Sequence, residues 1–187
     1  MNELSTFISK SFQNVRSSKR TEELHLAVLK YLYYNDPSLA RFDVKFEYTM
    51  PDAFNGTFTV DIALFENKKL HTVVLCKALN SNINKNQKNL ANTTIGEAAR
   101  LCYSPTPPSK VIFVSVMPEI APRFNRSGVV TGFDDVVKSK LNTNISNVLK
   151  QQYNNQVCTL DLWYQIPNVQ SRLTQTAYES FDPIVSW

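Results

Sequence analysis

Residues 57–66, TFTVDIALFE, and 70–78, LHTVVLCKA, are two β-rich runs separated only by Asn67, Lys68 and Lys69. A polar triplet between two such runs predicts a hairpin of paired antiparallel strands. Side chains alternate along a strand, so Leu75 and Lys77 share one face and Cys76 points to the other. The first strand carries one acid, Asp61, inside an apolar run, and the second ends in Lys77. A lone carboxylate on an apolar strand is costly unless it has a partner or a metal ion. A lysine at such a strand end has two readings. It is a site residue, or its stem is buried while its ammonium reaches water.

The flanking periodicities complete an order of elements. Residues 21–34 place Leu24, Val28, Tyr31 and Leu32 on one helical face. Thr21 suits the N-cap, Glu22 and Glu23 suit the positive end of the dipole, and Asp36-Pro37 ends the helix. Residues 42–49 alternate Phe42, Val44, Phe46 and Tyr48 against Asp43, Lys45 and Glu47, which predicts a half-buried strand. Met50 to Gly56 connect it to the hairpin. From about Asn84 to Cys102 a helix carries Ala91, Ile95, Ala98 and Cys102 on one stripe, with Leu90, Glu97 and Leu101 beside it. Pro105, Pro107 and Pro108 break the chain. Residues 110–117, KVIFVSVM, are a continuous apolar run, as expected of a central strand covered on both faces. Residues 118–130, with Arg123 and Arg126, read as a loop. Thr131 and Asp134 resemble a capping box opening a helix near 132–152, with Phe133, Val137, Leu141, Ile145 and Val148 inward. Residues 157–164 alternate again as a last strand. In the remaining tail, Phe181 and Trp187 are expected to tuck against the body.

The order is thus α-β-β-β-α-β-α-β. The first three strands read as a meander, and a later strand reached through a helix lies parallel to its neighbour by a right-handed crossover. The expected class is α/β, with a central mixed sheet flanked by helices. A single domain of 187 residues is expected, with a core over about 20–165 and an irregular tail over 166–187.

This order, with Asp61 on one strand, Leu75-Cys76-Lys77 on the next and a helix after it, resembles the core of the PD-(D/E)xK, or restriction-endonuclease-like, nuclease superfamily. The polar stretch with Lys85, Asn86 and Lys88 leading to Gly96-Glu97 and Arg100 adds to the likeness, which covers roughly residues 20–165. The resemblance implies that Asp61 helps to hold a metal ion, Mg²⁺ or Mn²⁺ if the protein is active, and that Lys77 acts on the nucleophile. Leu75 stands where the family has its second acid. Some members take that acid from the helix after the lysine strand, which makes Glu97 the first candidate for it. Glu23 is the second, since a first-helix Glu often borders the metal site in related nucleases. The implied catalytic set is Asp61, Lys77 and Glu97, and the implied metal ligands are Asp61, Glu97 and Glu23. Glu97 has a plainer reading, a surface ion pair with Arg100 at i,i+3.

Pro51-Asp52 is a literal PD dipeptide. Taking it as the motif start would make Asp61-Ile62-Ala63 the tripeptide, with alanine where lysine is needed, and turns often contain the same pair. Lys85, Asn86, Lys88 and Arg100, with Asn89, Arg123 and Arg126, either line a phosphate-binding face or are ordinary solvated polar groups. His25 and His71 read as core or surface histidines.

Composition bounds the alternatives. The formal charge of +4 mildly favours a polyanionic partner. Hydrophobic residues make up 43% of the chain, enough for a core. No apolar run approaches the roughly 18 residues of a membrane span. The N-terminus carries an acid and lacks the apolar centre of a signal peptide, so the expected location is the cytoplasm. Cys76, Cys102 and Cys158 lack the paired spacing of a zinc site and read as buried reduced thiols. Two functions follow. One is a metal-dependent nuclease acting on DNA or RNA. The other is a nuclease-like domain without catalysis that serves as a nucleic-acid-binding or protein-interaction accessory. The resemblance also allows a homodimer.

Overall fold

The computed structural model describes residues 7, 8, 11, 12, 21–178 and 181–185. Its elements run α1 (Thr21–Asn35), β1 (Asp43–Pro51), β2 (Thr57–Glu66), β3 (Lys69–Ala78), α2 (Ile83–Cys102), β4 (Lys110–Pro118), β5 (Ile120–Phe124), β6 (Val130–Asp135), α3 (Leu141–Tyr153), β7 (Val157–Gln165) and β8 (Ile184–Val185). The class is α/β. One mixed sheet has the order β1-β2-β3-β4-β7-β8. β1, β2 and β3 form the antiparallel meander. β4 and β7 continue it in parallel. Parallel neighbours need crossovers, and α2 and α3 lie on those crossovers.

Each face of the sheet has its own core. Leu24, Val28 and Leu32 of α1 pack with Ile62, Leu64, Val74, Val114 and Leu162 on one face. Phe7, Ile8 and Phe12, from the described N-terminal residues, join them, as does Phe181 of the tail. On the other face Leu90, Ala98 and Leu101 of α2 and Ile145 and Leu149 of α3 pack with Val73, Leu75, Val111 and Phe113. Coverage on both faces explains why 110–117 is apolar throughout. The position of Trp187 lies outside the described residues.

Three details depart from the sequence reading. Residues 118–130 are not a loop, and 132–135 are not helical: β5 and β6 pair as a separate antiparallel hairpin. Asp134 does not open a helix of its own. It is buried and accepts hydrogen bonds from the Asn84 backbone N–H (3.1 Å) and side-chain amide (3.0 Å). It thereby satisfies the first turn of α2, whose own N-cap, Asn82, makes no side-chain cap. Asp134→Ala should therefore cost about 1–2 kcal/mol of stability in urea unfolding, the usual value of a lost cap. The helix that follows starts at Leu141, and Val137 and Val148 are exposed while Ile145 and Leu149 are buried.

The third departure concerns β1. Val44 packs on the α1 face, and Phe46 stacks over His25 of α1. Tyr48 and Met50 pack on the opposite face. β2 reverses at the same point, with Val60 on the α2 face and Ile62 and Leu64 on the α1 face. The register runs Phe46↔Ile62 and Tyr48↔Val60, so the reversal falls at Glu47 and Asp61. Glu47 has φ 49°, a left-handed conformation that interrupts the strand pleat. Simple alternation cannot foresee this, because its period assumes an unbroken pleat. The strand also runs on to Pro51, so Met50 belongs to it rather than to the connection.

Candidate functional site

The reversal sets Asp61 at the seam between the two faces. Its Oδ2 accepts the Cys76 backbone N–H at 2.5 Å. Its Oδ1 lies 3.5 Å from His25 Nε2. Burial pushes the Asp61 carboxyl up to about 6; the Cys76 N–H opposes the rise, Glu97 adds to it and Lys77 counters it. Asp61 therefore shares one electrostatic neighbourhood with both Lys77 and Glu97.

Lys77 and Glu97 meet directly. β3 turns Lys77 toward the α2 face, and its Nζ donates to Glu97 Oε2 at 2.6 Å. Both side chains are mostly buried, at 23% and 19% exposure, so this pair is not an ordinary surface bridge. Leu75, in the acid's position, is buried among Val73, Leu90 and Phe113. The alternative partner for Glu97 falls away. Arg100 instead binds Asp52, donating from Nε at 2.9 Å and again from Nη2. Asp52 also accepts the Phe54 and Gly56 N–H groups at 2.9 Å each. The Arg100 guanidinium and these two N–H groups hold its carboxyl below the usual range. The PD dipeptide is thus a turn organised by Arg100.

The register extends the site along the sheet. Lys77 pairs with Ser115, and Ser115 with Asp161, across three parallel strands. All three line one cleft with Leu75, Thr94 and Thr159. Sequence reading passed over Ser115 and Asp161. The available signal was a hydroxyl in the apolar run of β4 and the one acid of β7.

His25 is a core histidine, one of the two readings its sequence allows. It is 1% exposed, and neither ring nitrogen completes a hydrogen bond. Nδ1 lies 3.3 Å from Glu47 Oε1, as Nε2 lies near Asp61. Burial lowers its pKa, only partly offset by Glu47 and Glu22. Its position beside Leu24 and Val28 on the inward face of α1 was the sequence signal. Glu23 stands two residues before it, about 200° around the helix axis. Among the described residues the one close group of possible metal donors is His25, Asp61 and Cys76, and Glu23 is outside it. His71 bonds the Thr72 hydroxyl and packs on Phe42, a structural role.

Lys85, Asn86 and Lys88 are exposed on the first half of α2. Arg123 lies 3.5 Å from Asp134 and is half exposed. Glu97, like Glu23, lies outside the close donor group of His25, Asp61 and Cys76. No described helix is long and apolar enough to cross a membrane. No family model, curated protein or solved structure matches the chain.

Proposed function

We propose that this chain is a nuclease-type protein of the PD-(D/E)xK kind, hydrolysing phosphodiester bonds of nucleic acid at Asp61, Lys77 and Glu97. The observation that carries the reading is the 2.6 Å contact between Lys77 and Glu97, with Asp61 under the influence of both. Glu97 stands in this reading for the acid absent at Leu75. A bound Mg²⁺ or Mn²⁺ supplies polarisation of the phosphate and a water of lowered pKa. Asp61 and Glu97 would hold that ion. Lys77 would orient the attacking water or balance charge on the phosphoryl oxygens. The strand order β1-β2-β3-β4, with α1 before it and α2 as its crossover, supports placing the chain in that superfamily.

A second reading has its own support. Leu75 is 4% exposed inside a packed cluster, and Lys77 already neutralises Glu97. That arrangement also suits a nuclease-like domain that keeps its fold and binds nucleic acid or a protein without cutting. Both nucleic-acid readings use Lys85, Asn86 and Lys88. The two lysines lie about 14 and 18 Å from Glu97 along α2, a span of about four to five nucleotides of one strand.

Binding to short DNA and RNA duplexes and single strands, measured by anisotropy across a salt series, tests this surface. Affinity is expected to fall steeply with salt. The Lys85→Ala and Lys88→Ala double variant should bind more weakly, with a log–log salt slope shallower by about 1 per lysine. Binding insensitive to salt, or none to any nucleic acid, would turn the assignment toward a protein partner.

A further inference from the structure

His25, Asp61, Cys76 and Glu47 form a second constellation, which the nuclease reading leaves unexplained. The donor atoms of the first three all lie within 4.8 Å of one another. A fully buried imidazole with two unsatisfied nitrogens is expensive, since each loses its water without a replacement. The separation between His25 Nε2 and Asp61 Oδ1, 3.5 Å, is too long for a good hydrogen bond. It does match two ligands on one tetrahedral ion. Bonds of about 2.0–2.2 Å at a tetrahedral angle put their ends about 3.4 Å apart.

We propose that His25 Nε2, Asp61 Oδ1 and Cys76 Sγ form a site for one divalent transition ion of the zinc class, with Glu47 holding the far nitrogen of the imidazole. The donor chemistry selects the ion. Nitrogen and sulfur ligands favour Zn²⁺ over the hard Mg²⁺, which takes oxygen. Glu47 Oε1 at 3.3 Å from Nδ1 completes the carboxylate–histidine–metal arrangement that fixes the tautomer of a metal-bound ring. The Cys76 backbone N–H holds Asp61 Oδ2, leaving Oδ1 for the ion. A sulfur–oxygen edge on such an ion is about 3.6 Å, so from a separation within 4.8 Å Cys76 closes by at most about 1.2 Å of side-chain rotation. Binding displaces the thiol proton to solvent, and the thiolate bonds the metal.

The ion ties together α1, β2 and β3, with β1 contributing Glu47. The left-handed Glu47 and the paired face reversal bring Glu47 and Asp61 against opposite edges of the His25 ring. The site lies on the α1 face, across the sheet from the Lys77–Glu97 pair. It does not rest on the nuclease reading, and only Asp61 is common to the two.

The test uses the tag-free full chain, stripped of metal by chelator, without nucleic acid. Co²⁺ reports the ligand set, because a cobalt–thiolate bond gives a near-ultraviolet charge-transfer band. One equivalent of Co²⁺ should produce that band, and Zn²⁺ should displace it while excess Mg²⁺ does not. Cys76→Ser, a near-isosteric change, should abolish the band and weaken Zn²⁺ binding about 100-fold. Glu47→Gln should weaken binding about 10-fold by loosening the ring. Glu97→Gln should leave both unchanged. Zn²⁺ should raise the melting temperature of the wild type and not of Cys76→Ser. A band that survives Cys76→Ser, binding lost in Glu97→Gln, or no saturable one-equivalent binding would each overturn the site. Cleavage assays are not involved, so an inactive protein leaves the inference standing, and a failed metal titration leaves the nuclease reading standing.

Discussion

Asp61→Asn is expected to make the folded chain more stable at pH 7.5, by about 1–3 kcal/mol in the presence of a chelator. The Asp61 carboxyl, ordinarily near 3.8, is pushed up to about 6, chiefly by burial. The sign follows directly. Between these two values the folded state binds more protons than the unfolded one, so stability declines as pH rises through the window and levels off above about 6. Asparagine keeps an oxygen for the Cys76 N–H and removes the charge. Its amide also faces His25 Nε2, one of the orphaned nitrogens. The melting temperature should rise by several degrees at pH 7.5, and the advantage should shrink at pH 4.5, where Asp61 is already protonated. A variant less stable than the wild type at pH 7.5 would mean that the Asp61 charge is better compensated than its surroundings suggest.

The second large effect is on rate. If the chain cuts, Glu97→Gln should reduce single-turnover cleavage by at least about 10³, because one carboxylate holds a hard cation poorly. Lys77→Met should cost about 10²–10³, the usual loss when one charge-stabilising group is removed. Neither change should abolish nucleic-acid binding, since Lys85 and Lys88 remain. Equal losses of binding and rate would instead mark the pair as a structural strut. Leu75→Glu separates the two functional readings further. Rescue of cleavage in an otherwise inactive chain would show that only this carboxylate was missing. The buried side chain carries a folding cost, so the variant's melting curve must accompany the assay.

The hairpin and its lysine were legible because both depend on local pattern. Residues 57–66 and 70–78 carry strand periodicity, and the parity of Leu75 and Lys77 follows from the pleat. The sequence leaves Glu97 with two readings, an acid of the site or a surface partner of Arg100, and only the second is excluded, because Arg100 binds Asp52 and Glu97 meets Lys77. The β5–β6 hairpin was hidden because Asp134 mimics a local cap while capping another helix fifty residues earlier in the chain. The face reversal was hidden for a different reason. It depends on one left-handed residue, Glu47, in a sequence that alternates without interruption. Everything around His25 follows from that reversal, so its neighbours could not be read from spacing. Ser115 and Asp161 join Lys77 only through the register of three parallel strands, which no local pattern encodes.

The proposed function requires Asp61, Lys77 and Glu97 to act as one hydrolytic unit. The most direct measurement is single-turnover cleavage of end-labelled single- and double-stranded DNA and RNA, with Mg²⁺, Mn²⁺ or chelator, by the wild type and Asp61→Asn. Metal-dependent cleavage of at least one substrate is expected from the wild type and none from Asp61→Asn, although that variant is expected to be the more stable protein. No cleavage by the wild type under any of these conditions, or undiminished cleavage by Asp61→Asn, would contradict the proposed function.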